Sequence, residues 1–450
     1  IYWYFWVVVV AFEALVGAEI ASAFMLEEVI EAASFHGDIG EGKKTLDERA
    51  LKEQEKVFGE DDAVKEALRT EGAAYKKKFG VKFLVSAQGK SGKEMLTILQ
   101  QRMNNSAAEE LVHARTALWE IALKRMKTLA QPQERLQEIF KKHNIRNAQI
   151  ALSNAHGHQV INFGAGTAAS MLFEVASLSK TVASAFACEY FAGKKITLNT
   201  SVNQLLAKTK SNFRLQPAEW GDKVTLAHLM SHQALNMHYV NGVPADRRMP
   251  GIEAFLEGNK DYNYPPIRVI NDPGTVFQYS GGGFIVLEHL IEALEGGPIT
   301  DLTASFLIKL GVKDFTFTQE TMPGHTFAHG FRDDGREVEG TRLMFPAFAA
   351  GAMGTAGSMA QFLTALEHAY HNIEGFHGLS HDTARTMLHG SDLGCREFMG
   401  CTMGLGVFIL EAGDNRFAVH QGANDGFRCL YLHCYAGPDR GFGITVLCNA

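Results

Sequence analysis

The chain has 450 residues, 46% of them hydrophobic and 21% charged, with a formal net charge of -7 from 43 Lys+Arg against 50 Asp+Glu. At roughly 150 residues per domain this is a chain of two or three globular domains, each able to bury its own core. It is not disordered, collagen-like or polytopic in a membrane. The acidic balance, with no basic block longer than Lys76 to Lys78, argues against nucleic acid as a partner. Six cysteines (Cys188, Cys395, Cys401, Cys429, Cys434, Cys448) form no C-x-x-C pair. That pattern predicts free thiols in a reducing compartment, hence a cytoplasmic location.

Residues 1–25 are atypical. The run IYWYFWVVVVAF is wholly apolar, but Glu13 and Glu19 break it before the roughly 20 residues a bilayer requires. No basic flank or small-residue cleavage site accompanies it, so membrane association is left open. The start at Ile1 and the stop at Ala450, just after the apolar Ile444 to Leu447, read as cut or processed ends.

From residue 26 to 130 apolar residues recur at three and four spacing, which predicts an all-α region. Thr45 with Glu48, Ser91 with Glu94 and Ser106 with Glu109 have the capping-box pattern. Val81 to Ala87 (VKFLVSA) is the one extended candidate. Gln131-Pro132-Gln133 punctuates the chain and sets a boundary near residue 130. Beyond it, residues 131–450 read as α+β, with a helix to Lys142, a hairpin (Ala148 to Ser153, Gln159 to Phe163) and a long helix from Ser177. Four closing strands follow, at Gly406 to Leu410, Phe417 to His420, Cys429 to Tyr435 and Gly441 to Leu447.

The chemistry of the second region starts at Phe173 to Lys180 (FEVASLSK), which holds an S-x-x-K, Ser177 to Lys180. In a helix beginning at Ser177, Lys180 lies one turn on and its amine reaches the seryl hydroxyl. To serve as a base near neutrality the lysine must drop about three pKa units, roughly 4 kcal/mol, by burial or a second cation. The competing reading is an N-capping serine beside a solvated lysine. Tyr279 precedes the glycine run Gly281 to Gly283, and His420-Gln421-Gly422 precedes Ala423-Asn424-Asp425-Gly426.

At these residues the second region resembles the serine beta-lactamase and penicillin-binding-protein superfamily, in particular its class C-like hydrolases and esterases. VTLAHLMSH from Val224, FPAFAAGAMGTAG from Phe345 and the closing HQGANDGFR carry the resemblance further. It implies an antiparallel sheet flanked by helices, an acylated Ser177, and Lys180 with Tyr279 as the proton-transfer pair. His420 would replace the third-motif lysine, and Gly422 and Ala423 would line the substrate, with the N–H groups of Ser177 and Ala423 forming the oxyanion hole. Tyr279-Ser280-Gly281 departs from Tyr-x-Asn, which favours an esterase, amidase or peptidase over antibiotic hydrolysis. A glycine usual after His232 is missing too, and His228 and His232 are given no role.

The first region holds His36-Gly37-Asp38-Ile39-Gly40-Glu41, then Glu53-Gln54, then FLVSAQGKS, then Arg102 and Arg125. In this order they resemble 2-oxo-4-hydroxy-4-carboxy-5-ureidoimidazoline (OHCU) decarboxylase, an all-helical enzyme of urate breakdown that yields S-allantoin. The resemblance implies His36 as proton donor, Arg125 as carboxylate partner, Glu53 and Gln54 as ureide ligands, and the backbone of Phe83, Leu84, Val85, Ser86 and Ala87 as lining. The substrate's own conjugated C=N takes the electrons, so no cofactor is expected. Gly37 stands where that family has proline, Ala50 where it has serine, and its upstream helices are missing.

The sequence therefore supports a bifunctional lyase and serine hydrolase acting on small molecules. Two alternatives stay open: a hydrolase with a degenerate binding or dimerising front module, and a non-catalytic acyl-accepting sensor. A homodimer through the front domain is one expectation. No metal is expected, because His368 with His371 and His377 with His381 lack an H-E-x-x-H context. The glycine run also matches no nucleotide-binding loop.

Overall fold

The computed structural model describes residues 61–85, 90–114, 116–117, 136, 139–237, 241–320, 324–332, 334–376, 378–391 and 393–449. The chain divides into two compact units, 1–132 and 133–450. Outside the described residues lie the 1–25 segment, Thr45 with Glu48, and the candidate site residues His36, Glu53, Gln54, Ser86, Ala87 and Arg125.

In the first unit, α1 (Asp62–Phe79) starts where the Asp61 carboxylate accepts the Val64 N–H and stops at Gly80, whose φ of 74° suits a left-handed C-cap. Lys76 to Lys78, the basic block of the sequence, is its last turn, where positive charge opposes the helix dipole. The second helix, α2 (Gly92–Arg102), has the expected Ser91–Glu94 capping box, and Ser106 and Glu109 exchange the same reciprocal bonds ahead of the helical residues 107–114. Leu68, Tyr75, Phe79, Met95 and Leu99 pack with Val81, Phe83 and Leu84 into one core.

A charge sits inside that core. Arg102 is buried, and its Nε donates to Glu110 Oε1 at 2.7 Å while Nη1 donates to the Leu84 carbonyl at 2.7 Å. Tyr75 donates its hydroxyl to Glu110 and accepts from Arg102 Nη2. Residues 81–85 form neither helix nor strand, and Arg102 is the tie that fixes them between the two helices. Phe83 and Leu84 turn their side chains into the core, which leaves their backbone for any ligand contact.

The second unit is built on a seven-stranded antiparallel sheet. Its strands are β1 (Ala148–Asn154), β2 (Gly157–Phe163), β6 (Thr402–Met403), β7 (Phe408–Ala412), β8 (Asn415–Asn424), β9 (Phe427–Ala436) and β10 (Gly443–Asn449), in the spatial order β2-β1-β10-β9-β8-β7-β6. The first and last strands of the unit are neighbours, with Ala148 opposite Cys448. Three short strands, β3 (Phe173–Glu174), β4 (Phe315–Thr316) and β5 (Met353–Gly354), make a second sheet. The order of expected strands holds, but β8 and β9 run longer than their apolar stretches. Gly422 and Asn424, beyond the expected strand end at His420, stay in register with Cys429 and Phe427, and only Asp425-Gly426 turns the chain.

Strand β9 is buried from Cys429 to Tyr435, the pattern of a central strand covered on both faces. The helix α6 (Ala356–Tyr370) packs across β1, β2, β9 and β10. Against β8 and β9 lies the segment that carries the serine, where the structure corrects the sequence reading. Ala176–Leu178 is one turn of 3₁₀-helix and α3 begins at Ser179, running to Gly193. Ser177 is therefore no N-cap, and Lys180 is 2% exposed, not solvated.

Replacing Glu110 by Ala strands a guanidinium in the first core and is expected to destabilise that unit by about 3–5 kcal/mol. Urea unfolding followed by circular dichroism measures this, and a shift under about 1 kcal/mol would contradict a buried pair.

Candidate active site

The serine turn is strained. Ala176 has φ of +46°, a left-handed value that costs a β-carbon residue about 1–2 kcal/mol. Several bonds hold it there. Val175 donates its N–H to the Ala352 carbonyl, and Ser179 Oγ donates to the Ala176 carbonyl while accepting the Ala352 N–H at 3.0 Å. Strand β8 closes on the same turn. A side chain at Gly422 would put its Cβ 2.9 Å from the Ser177 nitrogen and 2.5 Å from Cys429 Sγ, so glycine is required for close approach.

Lys180 projects back from the first turn of α3. Its Nζ lies 3.0 Å from Ser177 Oγ, donates to the Ala349 carbonyl, and sits 5.0 Å from the centroid of the Tyr279 ring and 5.7 Å from that of Phe284. Burial pushes the ammonium down to about 7. A neutral amine here has one lone pair for the seryl proton and an N–H for Ala349. That carbonyl belongs to a π-turn, Ala347–Gly351, fastened from below where the Phe348 N–H donates to Glu288 Oε2 at 2.9 Å. Glu288 lies on α5 (Gly281–Glu295), the helix that follows Tyr279, and burial raises its carboxyl to about 8.

The glycine run serves packing. Ser280 precedes α5, and a Cβ at Gly283 would meet the Leu229 carbonyl at 2.7 Å, so the helix start lies directly on the turn before His232. His232, passed over in the sequence, accepts the Ser280 N–H at Nδ1 and lays its ring 4.3 Å from that of Tyr279. Phe398 stacks on Tyr279 at 4.9 Å. His228 accepts the Thr225 N–H in the capping box that opens a helix, α4 (Leu226–Met230).

His420 completes the cluster. Its ring is 6.2 Å from that of Tyr279 and 5.2 Å from that of Phe408, and it is 1% exposed. Nδ1 lies 2.7 Å from the Gln421 carbonyl. A carbonyl only accepts, so Nδ1 carries the proton and Nε2 presents a bare lone pair. That Nε2 is buried with no hydrogen-bond partner among the described residues. Burial and the neighbouring Lys180 hold the ring neutral, down to about 3. At this position the protein offers an acceptor, where a lysine would offer a charge.

Ser177, Lys180, Tyr279, His420 and Gly422 thus converge from three stretches of chain, and Ala423 follows Gly422 opposite Arg428. Along the strand beyond it, a cavity of about 320 Å³ is lined by Arg332, Asp334, Asp425, Gly426 and Arg428, with Arg332 and Asp425 paired at 2.8 Å. Among the described residues no group of three or more His, Cys, Asp or Glu could hold a metal. His371 and His381 instead bond the Tyr435 and Ala369 carbonyls. All six cysteines are free and buried. No described helix is long and apolar enough to cross a membrane.

Three solved structures share the second unit's architecture. The octameric penicillin-binding protein homologue from Pyrococcus abyssi aligns with a TM-score of 0.54 at 17% identity, covering 71% of this chain and 72% of its own. The beta-lactamase/D-alanine carboxypeptidase from Pseudomonas syringae gives 0.55 at 15%, covering 70% and 92%. The D-amino acid amidase from Ochrobactrum anthropi SV3 gives 0.52 at 17%, covering 68% and 86%. These similarities establish the fold. Family models match residues 142–450 to beta-lactamase and residues 11–127 to OHCU decarboxylase. With most of its length in the first match, the chain is an enzyme belonging to the beta-lactamase family, and it carries an OHCU decarboxylase domain ahead of its serine-hydrolase domain.

Proposed function

We propose that the second unit hydrolyses an uncharged ester or amide through an acyl-Ser177 intermediate. The observation that carries this is the buried Lys180 amine 3.0 Å from Ser177 Oγ. Oγ attacks the substrate carbonyl as Nζ takes its proton, and the Ser177 and Ala423 N–H groups receive the oxyanion. Collapse expels the alcohol or amine, protonated through Tyr279. Water then attacks the acyl-serine, giving up one proton to the same base and restoring Oγ–H. His420, neutral and accepting, offers no charge to a substrate carboxylate, and Gly281 offers no carboxamide. Both features favour a neutral acyl group over a beta-lactam. The presence of base, tyrosine and histidine together supports turnover over a stable acyl sensor.

For the first unit we infer decarboxylation of the ureidoimidazoline to S-allantoin, supported by the family match over 11–127. His36 would deliver the proton, Arg125 would pair with the carboxylate, Glu53 and Gln54 would hold the ureide, and the backbone of 83–87 would line the ring. The chain's own groups suffice, without a cofactor. A homodimer through this unit is compatible with the reading.

The acylation rate should rise with pH through about 7 and level off above it, because only the neutral amine accepts a proton and burial lowers Lys180 to that value. Lys180→Met should lower the rate at pH 7 by about 10²–10⁴-fold. A flat profile from pH 5.5 to 8.5, or an unaffected variant, would point to another base.

Short-chain p-nitrophenyl esters should be turned over faster than nitrocefin. Equal or greater efficiency on nitrocefin would contradict a neutral-acyl site.

Freshly made ureidoimidazoline should yield one allantoin enantiomer, followed by circular dichroism, with the signal lost in His36→Asn and kept in Ser177→Ala. Racemic product at the spontaneous rate from the unmutated chain would leave a hydrolase with a silent front domain.

A further inference from the structure

The acyl-serine mechanism leaves unused a buried carboxylate three residues before the nucleophile. Glu174 is 2% exposed on β3, and it makes two specific bonds. Oε1 accepts the Leu343 N–H at 2.9 Å, and Oε2 accepts from Asn424 Nδ2 at 2.7 Å. Asn424 is itself buried at the end of β8, directly after Ala423. Its Nδ2 also lies 3.3 Å from the Ala350 carbonyl, next to the Ala349 carbonyl that receives Lys180.

Filling space does not require these groups. A carboxylate removed from water is costly unless hydrogen-bonded, and an aliphatic side chain would occupy the volume without that cost. Burial raises Glu174 to about 8, with the bonds from Asn424 and Leu343 opposing the shift. The bond does join two pieces of chain that must stay in fixed relation. One end is three residues from Ser177, and the other is one residue from Ala423. Beyond Asn424 the strand turns at Asp425-Gly426, so the Glu174 bond is a tether close to where β8 leaves the sheet. The close approach of Gly422 to the Ser177 nitrogen fixes how near the two segments come. The Glu174–Asn424 bond fixes how they slide along each other.

We propose that Glu174 and Asn424 are positioning residues that set the alignment of the Ser177 and Ala423 backbone N–H groups, and so the geometry of the oxyanion hole. This rests on the acyl-serine reading above. Donors must lie within about 2.7–3.1 Å of the developing oxyanion, and loss of one costs about 10²–10³-fold in kcat. Partial misalignment should therefore cost less, about 10–100-fold, and should act on kcat more than on KM.

The experiment compares an oxoester with the matching thionoester, whose developing sulfur anion draws much less on oxyanion-hole hydrogen bonds. It is run on the full chain with Glu174→Gln, Asn424→Asp and the double variant. Glu174→Gln leaves one amide oxygen for the Leu343 N–H and the Asn424 carboxamide that two carboxylate oxygens met before, and Asn424→Asp removes the N–H donor to both Glu174 and the Ala350 carbonyl. In the double variant the new carboxamide accepts the Leu343 N–H and donates to the new carboxylate, so the link between the two segments returns with its polarity reversed, without the Ala350 contact. Expected are a loss of about 10–100-fold in oxoester kcat for each single variant, a change of less than about threefold with the thionoester, and recovery of the oxoester rate in the double. If a single variant does not fold, Asn424→Ala removes the bond without adding charge and should show the same oxoester-selective loss. Equal losses on both esters, unchanged rates in the singles, or a double variant as poor as the sum of the singles would overturn the proposal. A serine probe that leaves the unmutated chain unlabelled would instead overturn the acyl-serine reading, and this inference with it.

Discussion

A lysine amine buried 3.0 Å from a serine hydroxyl is the constraint around which the second unit is organised. Removing its ammonium from water brings the pKa to about 7, and the neighbourhood must tolerate both protonation states. The Ala349 carbonyl meets an amine or an ammonium equally well, since both carry N–H. The Tyr279 and Phe284 ring faces lie near enough to stabilise whatever cation forms. His420, held neutral by the same desolvation and by Lys180, adds no competing charge. Each feature follows from placing one titratable group where water cannot reach it.

Holding that geometry draws on distant parts of the chain. The π-turn that supplies Ala349 is fastened to Glu288 on the helix following Tyr279, and the strained serine turn is held by Ser179 and the Ala352 backbone. Two carboxyl groups, Glu174 and Glu288, are buried beneath the site, and both accept backbone N–H groups of the segment 343–348. Buried carboxyls are costly unless hydrogen-bonded, so the bonds they make beneath the Ser177–Lys180 pair hold its surroundings in fixed geometry.

The local part of this arrangement was legible in the sequence, and the long-range part was not. Ser177 and Lys180 are three apart, and any tight helical turn brings them together, so mistaking the 3₁₀ turn for the start of α3 left the pairing intact. Gly422 was legible only through the resemblance, because what requires a glycine there is a nitrogen 245 positions earlier in the chain pressing on the strand. Glu174, Glu288, His232 and Phe398 carry no local signal, because a glutamate on an apolar helix looks the same whether or not a backbone amide 60 residues away points at it. Strand ends were misplaced for the same reason, since pairing with a neighbour extended β8 and β9 past their apolar cores. In the first unit the Ser91–Glu94 and Ser106–Glu109 capping boxes were legible, being contacts within one turn. The Arg102–Glu110–Tyr75 cluster was not, because its members come from different segments.

The most direct measurement is a fluorophosphonate adduct mapped by mass spectrometry on the whole chain at pH 7.5. One adduct per chain on Ser177, absent from a Ser177→Ala variant whose circular dichroism is unchanged, is the result the geometry demands. An adduct elsewhere, or labelling undiminished in that variant, would contradict a Ser177 nucleophile activated by Lys180.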